Sequence, residues 1–292
     1  MFPYLENWCE LKMLIYHVIM VWKFIGYDHQ RCYRNVSHCA NVHFIYDSWY
    51  WNIYYKTRTC YFTTTSYIHR YAKNGAKIIE IGAGTGKYSI NLAKKGFDVT
   101  SVELVESNLK ILKQNSENLK NIVAYQGDAL NLKRFEDNQF DVTLLLGPLY
   151  HLYDKSDVQK AIEEAVRITK TNGTILVAFL SVYAIMNNNY LKDNFKSGIK
   201  ENFDEEYNTK HYEEQLFTGY DICEFEKLFE QYKTKYLTTV ALDNILELAE
   251  ERKDFGLSDS DFELFCKYHL ATCEKRELLG SSSHLLYICK KL

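Results

Sequence analysis

This chain contains a glycine-rich segment followed by two acids, at spacings suited to binding a nucleoside. The segment is Glu80–Gly86, with the sequence Glu-Ile-Gly-Ala-Gly-Thr-Gly, and Glu103 and Asp128 follow it. Glycines let the backbone turn tightly and approach a ligand closely. A carboxylate accepts hydrogen bonds, so Glu103 could bind both hydroxyls of a ribose and Asp128 an adenine amino group, beside the amide of Ala129. These residues predict an adenosine site.

The elements that must position these residues alternate between strand and helix. Apolar runs predict five strands, at residues 77–81, 98–102, 122–126, 140–146 and 174–179. Helices are predicted at 87–95, at 107–117 with Ser107 as its cap, and at 155–169. This alternation indicates a parallel sheet with right-handed crossovers, in which ligands bind at the carboxyl ends of the strands.

The second half of the chain is less regular. Residues 182–231 are polar and predict a helical insertion on the substrate side. Beyond them the patterns predict two further strands, at 236–241 and 284–289, and two helices, at 243–252 and 258–275. The sheet then has about seven strands.

The glycine spacing separates two nucleotide-binding families. A dinucleotide fingerprint places its third glycine three positions after the second, whereas Gly86 follows Gly84 by two, and an acid, Glu80, precedes Gly82 by two. A nicotinamide (NAD) oxidoreductase shares the strand–turn–helix unit and an acid after the second strand, so it stays as the alternative. The spacing and Asp128 weigh against it.

From about Tyr61 to the C-terminus the chain resembles the class I S-adenosylmethionine-dependent methyltransferases. The resemblance implies an α/β fold with a Rossmann-like, doubly wound, mostly parallel seven-stranded sheet and a helical cap. It also implies S-adenosylmethionine as cofactor, with Glu80 holding the methionine ammonium, Glu103 the ribose and Asp128 the adenine. The other cofactor-binding residues that it implies are Gly82, Ala83, Gly84, Gly86, Leu104, Ala129 and Gly147.

The residues that follow the fourth strand indicate which kind of acceptor receives the methyl group. Gly147-Pro148-Leu149-Tyr150 stands where DNA amino-methyltransferases have Asp or Asn, then Pro-Pro and an aromatic residue. Gly147 lacks that side-chain oxygen, which disfavours methylation of a DNA base amine. Tyr150 and His151 are the candidates for orienting the acceptor and removing its proton, since neutral imidazole is a good base near pH 7. Equally, His151 could merely cap the following loop.

Composition narrows the class of protein. Of the 292 residues, 47% are hydrophobic and 25% charged, as in a globular chain, and the net charge of −3 gives no basic footprint for nucleic acid. The apolar stretch at residues 13–22 is about half the length that spans a bilayer. No secretory signal is recognisable, and eight irregularly spaced cysteines favour reduced thiols, which predicts a cytoplasmic protein.

Residues 1–60 have a different composition and no clear period, and all four tryptophans lie there. Two interpretations stay open: an aromatic flap or dimer arm, or a stretch whose codons were read in the wrong frame. The same segment contains five possible zinc ligands, which are His29, Cys32, His38, Cys39 and His43. Zinc ligation is disfavoured because they lack the paired spacing of structural zinc sites, and no metal is predicted.

Taken together, the residues predict methyl transfer from S-adenosylmethionine to a small-molecule acceptor by a domain spanning residues 61–292. The alternatives are an NAD-dependent oxidoreductase and a non-catalytic S-adenosylmethionine-binding regulator. The acceptor atom is not specified by the sequence, and a homodimer stays open.

Overall fold

A computed structural model describes residues 55–191, 194–212, 215, 217–250 and 252–292. The aromatic segment before residue 55 and the five histidines and cysteines considered for zinc lie outside the described residues. The helices are α1 Tyr55–Tyr71, α2 Lys87–Lys94, α3 Glu106–Ser116, α4 Lys155–Ile168, α5 Val182–Ile185, α6 Phe195–Asn202, α7 Ile222–Lys227, α8 Leu246–Glu250, α9 Asp259–Thr272 and α10 Arg276–Leu279. The strands are β1 Lys77–Ile81, β2 Asp98–Glu103, β3 Ile122–Gln126, β4 Phe140–Leu145, β5 Thr169–Ser181, β6 Gly219–Tyr220, β7 Thr234–Ala241 and β8 His284–Lys291.

The strands form one sheet in the order β3-β2-β1-β4-β5-β8-β7, and the two-residue β6 pairs with the end of β5. Strands β1 to β5 are mutually parallel, whereas β8 runs antiparallel to both β5 and β7. The predicted α/β class and doubly wound, mostly parallel sheet are confirmed. Seven strands form the main path, and β6 makes an eighth.

The strand register brings the predicted site residues to one edge of the sheet. Glu103 pairs with Gln126 of β3, and Ile81 of β1 pairs with Leu145 of β4. The segments that follow β1, β2, β3 and β4 therefore leave the sheet at the same carboxyl edge, where α/β sheets bind ligands. This edge carries every predicted cofactor residue.

Burial explains why these segments became strands and helices. Strand β4 is buried at five of its six residues, as a near-continuous apolar run covered on both faces should be. Helix α4 begins where the Asp154 carboxylate accepts a hydrogen bond from the Ser156 amide, and its apolar face is buried against the sheet. The buried apolar residues of that face are Val158, Ala161, Ile162, Ala165 and Ile168.

Two local predictions are wrong. Ser107 does not cap α3, which begins after Val105, and the Ser107 hydroxyl has no hydrogen-bond partner among the described residues. The helix predicted over 243–252 is only Leu246–Glu250, because Asp243 is engaged by His284 and Asn244 has a left-handed φ of 53°. Tertiary contacts outside the segment decide its conformation.

The insertion is helical only in part. It contains α5, α6 and α7, with a π turn over Met186–Tyr190 and the strand β6 between them. Val182, Met186 and Phe203 form a small apolar cluster of their own within it. The insertion thus has a separate core and joins the sheet through β6 and α7.

Helix α1 crosses residue 60, the predicted end of the N-terminal segment, and packs on the C-terminal half of the chain. The Tyr55 hydroxyl donates to the Leu257 carbonyl over 2.6 Å, and the Lys56 amide to the Glu250 carboxylate over 2.7 Å. Among the described residues no helix combines the length and apolar character needed to cross a membrane.

Candidate active site

The glycine turn connects β1 to α2 in a conformation that other residues rarely adopt. Gly82, Gly84 and Gly86 have φ values of 77°, 55° and 88°. The amides of Gly82 and Ala83 both donate to the carbonyl of Val102, over 2.9 and 3.0 Å, which ties the turn to the end of β2. Three left-handed residues within five positions explain why the sequence uses glycine there.

Two of these glycines are also required by space. A Cβ atom on Gly82 would lie 2.7 Å from Cδ of Pro148, and one on Gly86 would lie 2.7 Å from Cγ of Leu112. The Pro148 ring belongs to the segment after β4, so the turn and that segment are packed together. The predicted cofactor turn and the predicted acceptor segment are therefore in direct contact.

Replacing Gly82 with Ala is expected to destabilise the protein by about 1–3 kcal/mol, since a left-handed φ strains an L-residue and the added methyl meets the Pro148 ring. Urea denaturation of the full chain measures this. Gly280→Ala is the matched control, because Gly280 has an ordinary helical φ of −65° and open space around it. Equal stability of the two variants would contradict the reason given for Gly82.

Glu80 faces the first turn of α2. Its carboxylate accepts hydrogen bonds from the amide of Ser89 over 2.9 Å and from the Ser89 hydroxyl, and the residue is 2% exposed. The Ser101 hydroxyl donates to that of Ser89 over 2.7 Å. Glu80 thereby fixes the start of α2 relative to β1 and β2. Its role toward a methionine ammonium stays a prediction.

Glu103 links the glycine turn to the segment after β2. One carboxylate oxygen accepts from the amide of Gly84 over 2.7 Å, and the other accepts from the amide of Val105 over 2.9 Å. The residue is 6% exposed. These two contacts hold the Glu103 carboxylate in place between the glycine turn and the segment after β2.

Asp128 lies beside Glu103, after the neighbouring strand. The amide of Gly127 donates to the Glu103 carbonyl over 3.1 Å, and the Gln126 side-chain amide donates to the Leu104 carbonyl over 3.2 Å. The Asp128 carboxylate accepts from the amide of Leu130 over 2.9 Å. The structure therefore brings the glycine turn, Glu103, Leu104, Asp128 and Ala129 together at three adjacent strand ends.

A network from α4 supports the Asp128 loop from behind. The buried Glu164 carboxylate accepts from the amide of Leu132 over 2.6 Å, and the Arg167 guanidinium donates to the Leu132 carbonyl over 3.0 Å. The hydrogen bond from Arg167 is the largest factor that holds the pKa of Glu164 below its ordinary value, against the effect of burial. Glu164 and Arg167 of α4 therefore hold the loop after β3 in place.

Tyr150 and His151, which are predicted to orient the acceptor, follow β4. Gly147 precedes a short 3₁₀ turn over Pro148–Tyr150, and a Cβ on Gly147 would meet no atom within 4 Å. The rings of Tyr150 and His151 lie edge to face with centroids 6.5 Å apart, and His151 packs on Phe217 of the insertion at 5.3 Å. Burial raises the pKa of Tyr150, so the phenol stays protonated at neutral pH. The insertion therefore contacts the segment after β4 through Phe217.

Sequence reasoning missed a cluster next to Tyr150. Cys60, Asp243 and His284 each place one polar side-chain atom within 4.8 Å of the others. The His284 ring lies 6.2 Å from that of Tyr150, edge to face. No spacing signal could reveal this group, since its members come from α1, the segment after β7 and the start of β8. Only the antiparallel pairing of β8 with β5 brings His284 to the carboxyl edge.

The comparisons with known proteins confirm the resemblance. Residues 79–177 match the family described as "Methyltransferase domain". YqeM of Bacillus subtilis is 32% identical over 122 residues, which is 41% of this chain and 49% of that protein. A demethylmenaquinone methyltransferase of Paenarthrobacter aurescens is 34% identical over 109 residues, 37% of this chain and 40% of that one. The chain spans about half or less of the length of these curated relatives.

A solved structure extends the likeness in fold beyond the matched segment. A SAM-dependent methyltransferase of Thermotoga maritima superposes with a TM-score of 0.54 at 16% identity, covering 86% of this chain and 97% of that one. At this identity the likeness shows the fold alone. The Rossmann-like architecture is therefore confirmed over most of the chain, and the activity must be argued from the site.

Proposed function

We propose that this chain, whose residues 79–177 match the family described as "Methyltransferase domain", is a class I S-adenosylmethionine-dependent methyltransferase that transfers a methyl group from that cofactor to a small-molecule acceptor. The observation that carries the proposal is the position of Glu103. Its carboxylate touches the backbone of the glycine turn at Gly84 and lies one strand from Asp128. This arrangement offers acceptors to a ribose and to an adenine from neighbouring strand ends.

The residues present fit the cofactor. Gly82, Ala83, Gly84 and Gly86 supply close-approaching backbone, with Glu80 below them for the methionine end. Glu103 and Leu104 would hold the ribose, and Asp128 and Ala129 the adenine. We assign Gly147, where a Cβ atom would meet no atom within 4 Å, to the methyl end of the site. When bound, S-adenosylmethionine supplies an activated methyl group on a sulfonium.

The protein's own part in the reaction is mainly alignment. Holding an acceptor behind the methyl group for in-line displacement can contribute roughly 7–11 kcal/mol. We assign Tyr150 and His151 to orienting the acceptor, because they follow β4, their rings are in contact, and the His151 ring packs on Phe217 of the insertion. The 182–231 insertion serves as the substrate-side cover. We also propose that the protein acts in the cytoplasm, which is consistent with the five described cysteines being free thiols.

Calorimetric titration of the full chain separates the proposal from the oxidoreductase alternative. We expect saturable binding of S-adenosylmethionine and no binding of NAD, because the turn lacks the dinucleotide glycine spacing. Binding of NAD with no binding of S-adenosylmethionine would overturn the proposal.

Transfer of a labelled methyl group separates an enzyme from a non-catalytic binding protein. The chain is incubated with methyl-labelled S-adenosylmethionine and a deproteinised metabolite extract, and the products are analysed by mass. We expect label in a compound of low molecular mass. Cofactor binding without any transfer would favour the regulatory alternative.

A further inference from the structure

The side chains of Asp243 and His284 form a buried pair at the acceptor side of the site. His284 Nδ1 lies 2.7 Å from Oδ2 of Asp243, and the backbone amide of His284 donates to Oδ1 over 3.2 Å. The Asp243 side chain is fully buried, whereas that of His284 is 33% exposed. The carboxylate is therefore enclosed, while the imidazole reaches toward open space.

Asp243 is held as a carboxylate by its surroundings. Burial raises its pKa, but the charge that His284 carries when it is protonated and the hydrogen bonds from His284 and Ser282 outweigh burial, so the pKa lies below its ordinary value. The Ser282 hydroxyl donates to Oδ1 over 2.5 Å. Burial and the charge of Asp243 raise the pKa of the neighbouring Cys60 thiol, which therefore stays protonated at neutral pH. Asp243 is the charged acceptor of the group.

The charge of Asp243 determines the tautomer of His284. An ionised carboxylate can only accept hydrogen bonds, so Nδ1 of His284 must carry a proton. In a neutral imidazole the lone pair is then on Nε2. Within the described part of the chain Nε2 makes no hydrogen bond to another residue. A histidine oriented by a buried carboxylate, with Nε2 available, is the arrangement of a general base.

The location of the pair connects it with methyl transfer. His284 is the first residue of β8 and pairs with Leu180 near the carboxyl end of β5. Its ring lies edge to face with that of Tyr150, 6.2 Å away. The pair therefore lies at the same sheet edge as the cofactor turn and beside the segment assigned to the acceptor.

We propose that His284 is the general base of the methyl transfer, with Asp243 as its positioning residue, and that the acceptor is a weakly acidic hydroxyl such as a phenol or enol. This inference rests on the proposed function. The acceptor oxygen bonds to the methyl carbon, and the methyl–sulfur bond breaks with its electron pair left on sulfur. The hydroxyl proton passes to Nε2, and the resulting imidazolium is offset by Asp243.

A hydroxyl fits this base better than an amine. An alkyl amine is mostly an ammonium at neutral pH, and its nitrogen has no lone pair for the attack until the proton has left. A hydroxyl oxygen keeps lone pairs while it is protonated, so its proton can pass to the imidazole during the attack. A thioether or a tertiary amine has no proton to lose, so its methylation would need no general base. A phenol or enol is neutral on arrival and becomes a strong nucleophile as its proton leaves.

The tautomer can be measured without an activity assay. In the full chain labelled with ¹⁵N-histidine, long-range proton–nitrogen spectra report which ring nitrogen carries the proton, and His284→Gln assigns the signals. We expect the neutral Nδ1–H form of His284. A neutral Nε2–H form would overturn the proposal whatever the activity.

The kinetic test uses methyl-labelled S-adenosylmethionine and a panel of substituted phenols, enols, amines and thiols. We expect transfer to hydroxyl compounds, slowed about 10²- to 10⁴-fold in His284→Gln with unchanged cofactor affinity. The acid limb of the pH profile should disappear in this variant. The pH at which that limb falls also depends on the groups around the ring. These groups are Asp243, Glu247, Lys56, Cys60 and Tyr150.

Two phenols of different acidity distinguish a general base from a purely structural role of His284. If the imidazole removes the proton, the loss in His284→Gln should shrink for 4-nitrophenol, which is largely ionised at pH 8, and stay large for phenol. Asp243→Asn should lose activity within the same range, since the amide no longer fixes the tautomer. His69→Asn, an exposed histidine on α1, is the matched control and should keep wild-type rates.

Three results would overturn the assignment. They are wild-type rates in His284→Gln, transfer by the wild-type chain to amines or thiols alone or to none of the panel, and a stoichiometric metal ion in the purified protein that is lost in Cys60→Ser. Failure of the proposed function is distinguished from these, because the wild-type chain would then either not bind S-adenosylmethionine or leave the metabolite extract unlabelled as well.

Discussion

Replacing Glu103 with Gln is expected to raise the Kd for S-adenosylmethionine about 10- to 150-fold. The carboxylate accepts from the amides of Gly84 and Val105, and in the proposed complex it also accepts from the ribose hydroxyls. Glutamine has one acceptor oxygen, so its amino group must face either an amide donor or the ribose. Loss of hydrogen bonds to a charged group costs about 1.5–3 kcal/mol, which corresponds to that range of affinity.

Calorimetric titration of the full chain measures this effect, and Glu106→Gln is the matched control. Glu106 is an exposed acid in the first turn of α3, three residues from Glu103, and its loss changes the net charge equally. The Kd of the control should stay at the wild-type value. A folded Glu103→Gln protein with wild-type affinity would remove Glu103 from the cofactor site and contradict the proposed function.

Replacing Phe225 with Ala is expected to lower the free energy of unfolding by about 3–5 kcal/mol. Phe225 of α7 is fully buried, and its ring stacks on that of Phe179 in β5 with centroids 3.8 Å apart. It also lies edge to face with Tyr220 of β6, at 5.2 Å. The variant leaves a cavity where the insertion joins the sheet, so we expect the insertion to loosen as well.

Urea denaturation gives the free energy of unfolding, and Leu264→Ala is the control. Leu264 is an apolar residue of α9 that is 65% exposed, so its truncation should change stability by no more than about 0.5 kcal/mol. Equal losses in the two variants would show that the stacked rings do not anchor the insertion.

The sequence determined the parallel half of the fold because its signals are local. Five apolar runs predicted β1 to β5, and the first four are each followed by a glycine or an acid. The bounds of β1 to β4 agree within one residue, whereas β5 starts five residues earlier than predicted. The glycine turn could be predicted for the same reason, since left-handed backbone within five residues requires glycine whatever surrounds it. Once the strands are parallel, Glu103 and Asp128 must end at one edge.

The C-terminal half shows where local reasoning stops. The segment after β7 has a helical pattern from residue 243, yet Asp243 and Asn244 stay outside the helix because His284 and Ser282 bind them. The insertion was predicted as helical from its polarity, but its conformation is set by contacts such as those of Phe225. Side chains distant in sequence decide both.

The sequence by itself determined the fold class, the glycine turn and the two acids beside it, because each depends on residues that are neighbours along the chain or on adjacent parallel strands. Only the tertiary structure decided which side chains lie next to Tyr150. Cys60, Asp243 and His284 lie up to 224 positions apart and meet because β8 runs antiparallel into the sheet and α1 packs across its end. Strand direction and helix packing of this kind leave no periodic signal in the residues that they bring together.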